Sequence, residues 1–205
     1  SLARKERESL SLGNVDALLA FVPDRRADAP AGTGDGDYHV TGKARATLSG
    51  TTALPAPLTV SIERFDATPG RLTVKSSRVR LQDLDASISA SFQGHLTGNP
   101  RSDIQAHGTI GPDALAWIQT HAGLPEGVNL RAPLTVTGAR LRSTGTGSAA
   151  SRTLTVNAKT ESGTAISLAL RHEPGLLSID NLHVKDSDSD GEVKFSRGPG
   201  GIEFS

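Results

Sequence analysis

The sharpest chemical motif in the sequence is a run of alternating carboxylates over 186–191. Asp186, Asp188 and Asp190, followed by a glycine, could present oxygens to a hard cation such as calcium. An EF-hand loop needs a bidentate Glu at its twelfth position, where this chain has Arg197. Both flanks of the motif alternate like strands, whereas an EF-hand has a helix on each side. The sequence therefore favours a solvated acidic hairpin turn and leaves calcium as the weaker candidate.

The histidines and the other carboxylates show no catalytic pattern. The chain has six His residues and no HxH or HExxH spacing, although His95 and His107 could approach each other across a hairpin. Four acidic side chains at strand ends could form acid–base pairs: Glu63, Asp66, Asp83 and Asp85. The sequence contains no nucleophile elbow, phosphate-binding loop or dinucleotide motif. We therefore expect no catalytic residue, no cofactor and no enzymatic activity.

Composition narrows the possible partners. The 205 residues include 22 basic and 22 acidic side chains, so the formal net charge is zero. A nucleic-acid binder would carry a basic excess to neutralise phosphates, and we expect no such partner. Cysteine is absent, which excludes disulfides, and aromatic residues make up only 3 % of the chain. The chain begins without Met and ends in a strand pattern, so we expect it to be a fragment.

The dominant pattern is period-two alternation, which predicts many β-strands with one apolar face and one Ser/Thr/Arg face. Turn residues between the strands, such as Pro69-Gly70 and Pro174-Gly175, predict an antiparallel meander. The predicted apolar positions are Leu58, Val60, Ile62, Leu72, Val74, Ile88, Phe92, Ile104, Ile110, Leu134, Val136, Leu154, Val156, Ile166, Leu168, Leu170, Val193 and Phe195.

One strand changes the phase of its alternation. Leu72 and Val74 occupy even positions, whereas Val79 and Leu81 occupy odd ones. A bulge near 76–77 would reconcile the two by adding one residue, and it would also bend the strand. Bends of this kind predict a curled sheet, either an open groove or a taco-like shape.

Two segments predict short α-helices. The first begins after Asn14 and places Val15, Leu18, Leu19 and Val22 at helical spacing. The second runs from about residue 112 to 122, with a proline suited to the first helical position. Residues 23–37 are rich in Pro, Gly and Asp and predict a flexible loop.

An internal repeat divides the chain. Residues 54–61 and 130–137 match at six of eight positions, and each follows a predicted helix that contains Asp-Ala-Leu. We therefore predict two units of one helix plus a β-meander, at 1–111 and 112–205, the second truncated at its C-terminus.

The predicted helices are too small to cover the apolar face. About ten strands at ~4.8 Å spacing give a sheet about 50 Å across, whereas each helix is only about 14–17 Å long. A second sheet layer, curling of the sheet, another chain or a ligand must cover the rest. The sequence leaves these alternatives open.

Several segments together are similar to one protein family. They are 108–118, Leu124-Pro125, 130–141 and 179–184, the last leading into a Gly turn and another strand. The combination resembles the AsmA-like proteins of the Gram-negative envelope, the group that includes AsmA, YhdP and TamB. The resemblance is best over 84–205 and extends over 9–83.

The resemblance implies a function. Such proteins are anchored in the inner membrane and extend through the periplasm as a long curled β-sheet. Their apolar face shields phospholipid acyl chains on the way to the outer membrane, with neighbouring repeats of the parent chain as further partners. This chain would contact a membrane only through parts of that parent outside it. The alternative is a structural or adhesive β-rich surface module in which calcium at the three aspartates would add stability.

Overall fold

The computed structural model describes residues 11–23, 38–49, 54–94, 100–121, 132–198 and 201–204. The predicted loop at 23–37 lies outside this part of the chain except for Pro23, the last residue of a strand. His95 and the predicted Leu124-Pro125 segment also lie outside it.

The fold is one antiparallel sheet, as the alternation predicts, with its strands in sequence order. The first strand pairs only with the second, and the last pairs only with its predecessor, so the sheet is not closed. Its strands are β1 (Ser11–Pro23), β2 (Tyr38–Ser49), β3 (Leu58–Thr68), β4 (Arg71–Leu81), β5 (Leu84–Gln93), β6 (Arg101–Ile110), β7 (Leu134–Thr144), β8 (Ser151–Thr160), β9 (Ala165–Glu173), β10 (Leu176–Lys185), β11 (Asp190–Gly198) and β12 (Gly201–Phe204).

The first predicted helix is wrong, because its residues form strand β1. Leu18, Leu19 and their neighbours pair with β2 from Ala17↔Ala44 to Pro23↔Tyr38. This pairing provides hydrogen-bond partners for the backbone along one edge of the segment. A short helix without a packing partner would be only marginally stable. Apolar residues occupy both alternate and helical positions here, so the spacing alone was ambiguous.

The second predicted helix is confirmed as α1 (Pro112–His121), directly after β6. Its first turn is capped by Asp83 from the β4–β5 turn. The two carboxylate oxygens accept hydrogen bonds from the backbone N–H groups of Ala114, at 2.8 Å, and Asp113, at 2.9 Å. These bonds, above all that from Ala114, lower the pKa of Asp83 below its ordinary value. Gly111 makes room for this contact, since a Cβ there would lie 2.3 Å from a carboxylate oxygen of Asp83.

The predicted bulge in β4 is confirmed, and other strands have one too. In β4 the register shifts between Val74 and Ser77, so the apolar set moves from even to odd positions without leaving its face. Strands β3, β7 and β10 shift in the same way near Glu63, Thr137 and Asp180. Each bulge keeps the apolar side chains of its strand on one side of the sheet.

Polar side chains support these bulges. Ser76 in β4 donates a hydrogen bond to Glu63 in the β3 bulge, at 2.9 Å. The Thr137 hydroxyl donates to the backbone carbonyl of Asn157, at 3.2 Å, and Ser178 donates to Asp180 at 2.7 Å. Each of these hydrogen bonds therefore joins a side chain in or beside a bulge to a polar partner.

The two copies of the predicted repeat have the same secondary structure only in their strands. Strands β3 and β7 both begin at a Leu that follows a proline, Leu58 and Leu134, at matching places in the repeat. The Asp-Ala-Leu segments differ, because the first lies in β1 and the second in α1. The sheet continues across the predicted boundary at 111, where β6 pairs with β7. The division into two units stays a prediction.

We predict that deleting Ser76 destabilises the protein far more than replacing it. Deletion removes the extra residue of the β4 bulge and turns part of the apolar set of that strand to the polar face. The expected loss in unfolding free energy is about 3 kcal/mol or more, against about 1 kcal/mol for Ser76→Ala. Chemical denaturation measures both. Equal losses for the two variants would contradict the role given to the bulge.

We also predict a pH-dependent contribution from Asp83. Its folded pKa is lowered, so the stabilisation is present above about pH 4 and is lost as the pH falls through the folded pKa. Asp83→Asn should lower the melting temperature at neutral pH, and the gap to wild type should narrow at about pH 3. Asp113→Asn, in the same helical turn, is the control. The same loss in both variants would contradict the cap.

Candidate functional site

One face of the sheet is apolar from strand to strand, because directly paired residues of antiparallel strands share a face. Leu72 pairs with Phe92, Val74 with Ala90, and Val156 with Leu168. Following the register places all eighteen predicted apolar residues, from Leu58 to Phe195, on this side. We call this side, over β2–β11, the apolar face. The register thus puts these side chains on one face, and their role as a lining for lipid stays a prediction.

The apolar face has no second layer over it within the described residues. Extensive contacts join each of these strands only to its neighbours in the sheet. Most of the predicted apolar residues are half-buried, Leu134 is 5 % exposed and Val193 is 49 % exposed. No large side chain in the described chain is fully buried. Of the alternatives left open by the sequence, a two-sheet sandwich is therefore not the arrangement of these strands.

Helix α1 contains two buried residues, beside one end of the apolar face. Its residues Ala114 and Leu115 are 0 % and 3 % exposed. The row of paired residues beside the start of α1 includes Leu81 and Leu134, each 5 % exposed. One helix of ten residues is about 15 Å long. The sheet spans about 53 Å from β1 to β12 at ~4.8 Å per strand, so most of the apolar face has no helix against it.

Ion pairs organise the opposite, polar face. Arg78 binds Asp85 in a bidentate pair, with N···O distances of 2.7 and 2.6 Å, and Arg80 approaches the same carboxylate at 3.2 Å. Arg140 forms a similar bidentate pair with Asp103. Hydrogen bonding by Arg78 and Arg140 lowers the pKa of Asp85 and of Asp103, respectively. These pairs join β4 to β5 and β6 to β7 on the side that faces water.

The four carboxylates considered for acid–base chemistry have separate partners. Glu63 accepts from Ser76, Asp66 pairs with His39 at 2.6 Å, and Asp83 caps α1. Asp85 binds Arg78. Each therefore has a structural partner of its own. His107 lies on the polar face in β6, and its proposed companion His95 is outside the described residues.

The three aspartates of the calcium motif do not converge. Asp186 accepts a hydrogen bond from Thr164, at 3.2 Å, and another from the backbone N–H of Ser187. Asp190 begins β11 and pairs with His183 in β10. Across the ranges that the structure describes, no three His, Cys, Asp or Glu side chains form a group able to hold a metal ion. This geometry matches the acidic hairpin turn.

Two features of the site were not predicted from the sequence. The first is a shallow cavity of about 650 Å³ on the polar face, lined by Lys75, His107 and Arg140 among others. The residues of the β4 and β7 bulges line this cavity. The change of parity in the alternation of β7 could have revealed the second bulge. The second is a pair of ionisable residues on the apolar face, Arg152 and His172, which pair across β8 and β9. Their parity with Leu154 and Leu170 was visible in the sequence.

No family model, curated protein or solved structure matches the chain. Among the described elements, no helix combines the length and apolar character that crossing a bilayer requires.

We predict that calcium leaves the thermal stability unchanged, because Asp190 is paired with His183 and does not converge with Asp186. Melting in ~10 mM calcium, compared with chelator, tests this at a concentration that would saturate a weak extracellular site. Binding at ten times the dissociation constant adds about 1.4 kcal/mol, so a rise of ~3 °C or more would contradict the prediction. Asp188→Asn should abolish such a rise if the motif caused it.

Proposed function

We propose that this chain is part of an AsmA-like envelope protein whose apolar face shields phospholipid acyl chains in the periplasm. The observation that supports the proposal most strongly is a continuous apolar face without a second protein layer in the described chain. Apolar surface of this extent usually marks an interaction site. The parent chain would provide the inner-membrane anchor and neighbouring repeats that extend the sheet.

The chemistry of the apolar face suits hydrocarbon. The paired positions combine Leu, Ile and Val with small residues such as Ala90, Ala106, Gly108 and Ala139. An acyl chain gains free energy from apolar contact alone and makes no directional bond, so it needs no polar group. Small residues between the branched ones leave shallow space over the sheet, and the low aromatic content has the same effect.

The dimensions also suit an acyl chain. Strand β8 has ten residues, so the apolar face extends about 30 Å along it at ~3.3 Å per residue. The hydrocarbon of one bilayer leaflet is about 15 Å thick, half of a ~30 Å core. A chain of that length can lie along a strand of the apolar face, and several can lie side by side across its width.

We predict that Val156→Lys reduces bound phospholipid, whereas Thr155→Lys does not. Val156 is half-buried at the centre of the apolar face, between Ala139 and Leu168, and Thr155 is exposed on the other side. A lysine at 156 places a charge where the acyl chain lies, and an effect of about 1.4 kcal/mol would lower occupancy about tenfold. Organic extraction of the purified proteins followed by mass spectrometry measures the bound lipid.

Two results would contradict the proposal. Wild-type protein that contains no phospholipid, even after incubation with lipid, would remove the function itself. Equal lipid content in the two lysine variants would show that the apolar face is not where the lipid lies. Far-ultraviolet circular dichroism of both variants checks that the sheet has formed.

A further inference from the structure

From β2 to β10, ionisable side chains lie at one place on the apolar face. From β2 to β10 its paired positions include no Asp or Glu, and its only ionisable side chains there are Arg152 and His172. These two residues are direct partners across β8 and β9. Polar side chains on an apolar face cost free energy unless they are hydrogen-bonded, so two at neighbouring positions call for a ligand or for solvent.

Arg152 and His172 continue a row of polar residues at the end of the apolar face opposite α1. Ser143 pairs with Arg152, and Ser102 pairs with Ser143, so four adjacent strands each contribute a polar side chain. Directly paired Cβ atoms lie about 4.5–5.5 Å apart in an antiparallel sheet. Arginine and histidine at that spacing can contact the same phosphate group, and the serine hydroxyls can donate to its oxygens.

Both ionisable side chains have unused hydrogen-bonding capacity. The Arg152 side chain is exposed and has no ion pair or hydrogen bond with another described residue. The Nδ1 atom of His172 is buried from solvent and has no hydrogen-bond partner in the part of the chain described. A buried polar atom without a partner costs free energy until a ligand or a water satisfies it.

We propose that Arg152 and His172 bind the phosphate of a phospholipid headgroup while the acyl chains lie on the apolar face. This inference rests on the proposed function and adds an orientation for the bound lipid, since it places the headgroup at the end of the sheet away from α1. Leu154, Val156 and Ala158 follow Arg152 at alternate positions, so the apolar row begins directly beside the cation. The distance from Arg152 to Ala158 is about 20 Å, enough for the hydrocarbon of one leaflet.

The headgroup chemistry favours anionic lipid. The row contains a permanent cation and no carboxylate, so a phospholipid with net negative charge should bind more tightly than a zwitterionic one. A free phosphate would gain only the polar contacts, because the apolar face contributes nothing to its binding.

The test compares Arg152→Gln with Arg101→Gln. Arg101 is exposed at the same end of the sheet and is next to Ser102 in sequence, but it lies on the polar face. Each variant therefore removes one positive charge from the same end of the sheet, and the two differ in the face that loses it. When phosphatidylglycerol and phosphatidylcholine compete for binding to the wild-type protein, phosphatidylglycerol should bind preferentially. We expect Arg152→Gln to reduce that preference about tenfold and Arg101→Gln to leave it unchanged. Glycerol 3-phosphate should not displace either lipid at the concentrations at which the lipids bind.

The outcomes separate the two proposals. Phospholipid binding without preference in wild type, or an equal loss in both variants, would overturn the headgroup site and leave acyl-chain shielding intact. Displacement by glycerol 3-phosphate would also overturn it, by showing a soluble-phosphate site. No binding of either lipid would overturn both proposals. His172→Gln, which keeps the size and a donor, should reduce the preference less than Arg152→Gln.

Discussion

The structure depends on keeping the alternation of each strand in phase across the whole sheet. A slip of one residue would move a strand's apolar side chains to the polar face. The bulges near Glu63, Lys75, Thr137 and Asp180 prevent this, because each adds a residue where the apolar set changes parity. The apolar face is continuous only because these local irregularities match those parity changes.

A single layer with one apolar side is an unusual way to stabilise a domain. Backbone pairing and cross-strand contacts replace the interior that two layers would form. The polar face contributes bidentate Arg–Asp pairs that join neighbouring strands, such as Arg78 with Asp85. Most of the closely packed apolar residues lie at the end near α1, among them Leu115. The rest of the apolar face has no second layer over it in the described chain, and this is the basis on which we propose a lipid ligand.

The sequence predicted the sheet, its order and its faces, because alternation and turn residues act locally. It also predicted the β4 bulge. The parity change from Val136 to Ala139 indicates a bulge in β7 in the same way. The first helix was wrong since Leu18 and Leu19 suit either a helix or a strand, and pairing with β2 decides between them. The side chain of Asp83 acts on a helix thirty residues away, which no local pattern reveals. The alternation already places Arg152 and His172 on the apolar face, but their direct pairing depends on the register.

Photo-crosslinking tests most directly whether lipid lies on the apolar face. A photoreactive residue would replace Ile88 or Leu168 on that face, and Ser87 or Ser167 at the adjacent positions on the polar face. The account predicts crosslinks to phospholipid acyl chains from the first two positions and none from the other two. Crosslinks of equal yield from both faces, or from Ser87 and Ser167 alone, would contradict it.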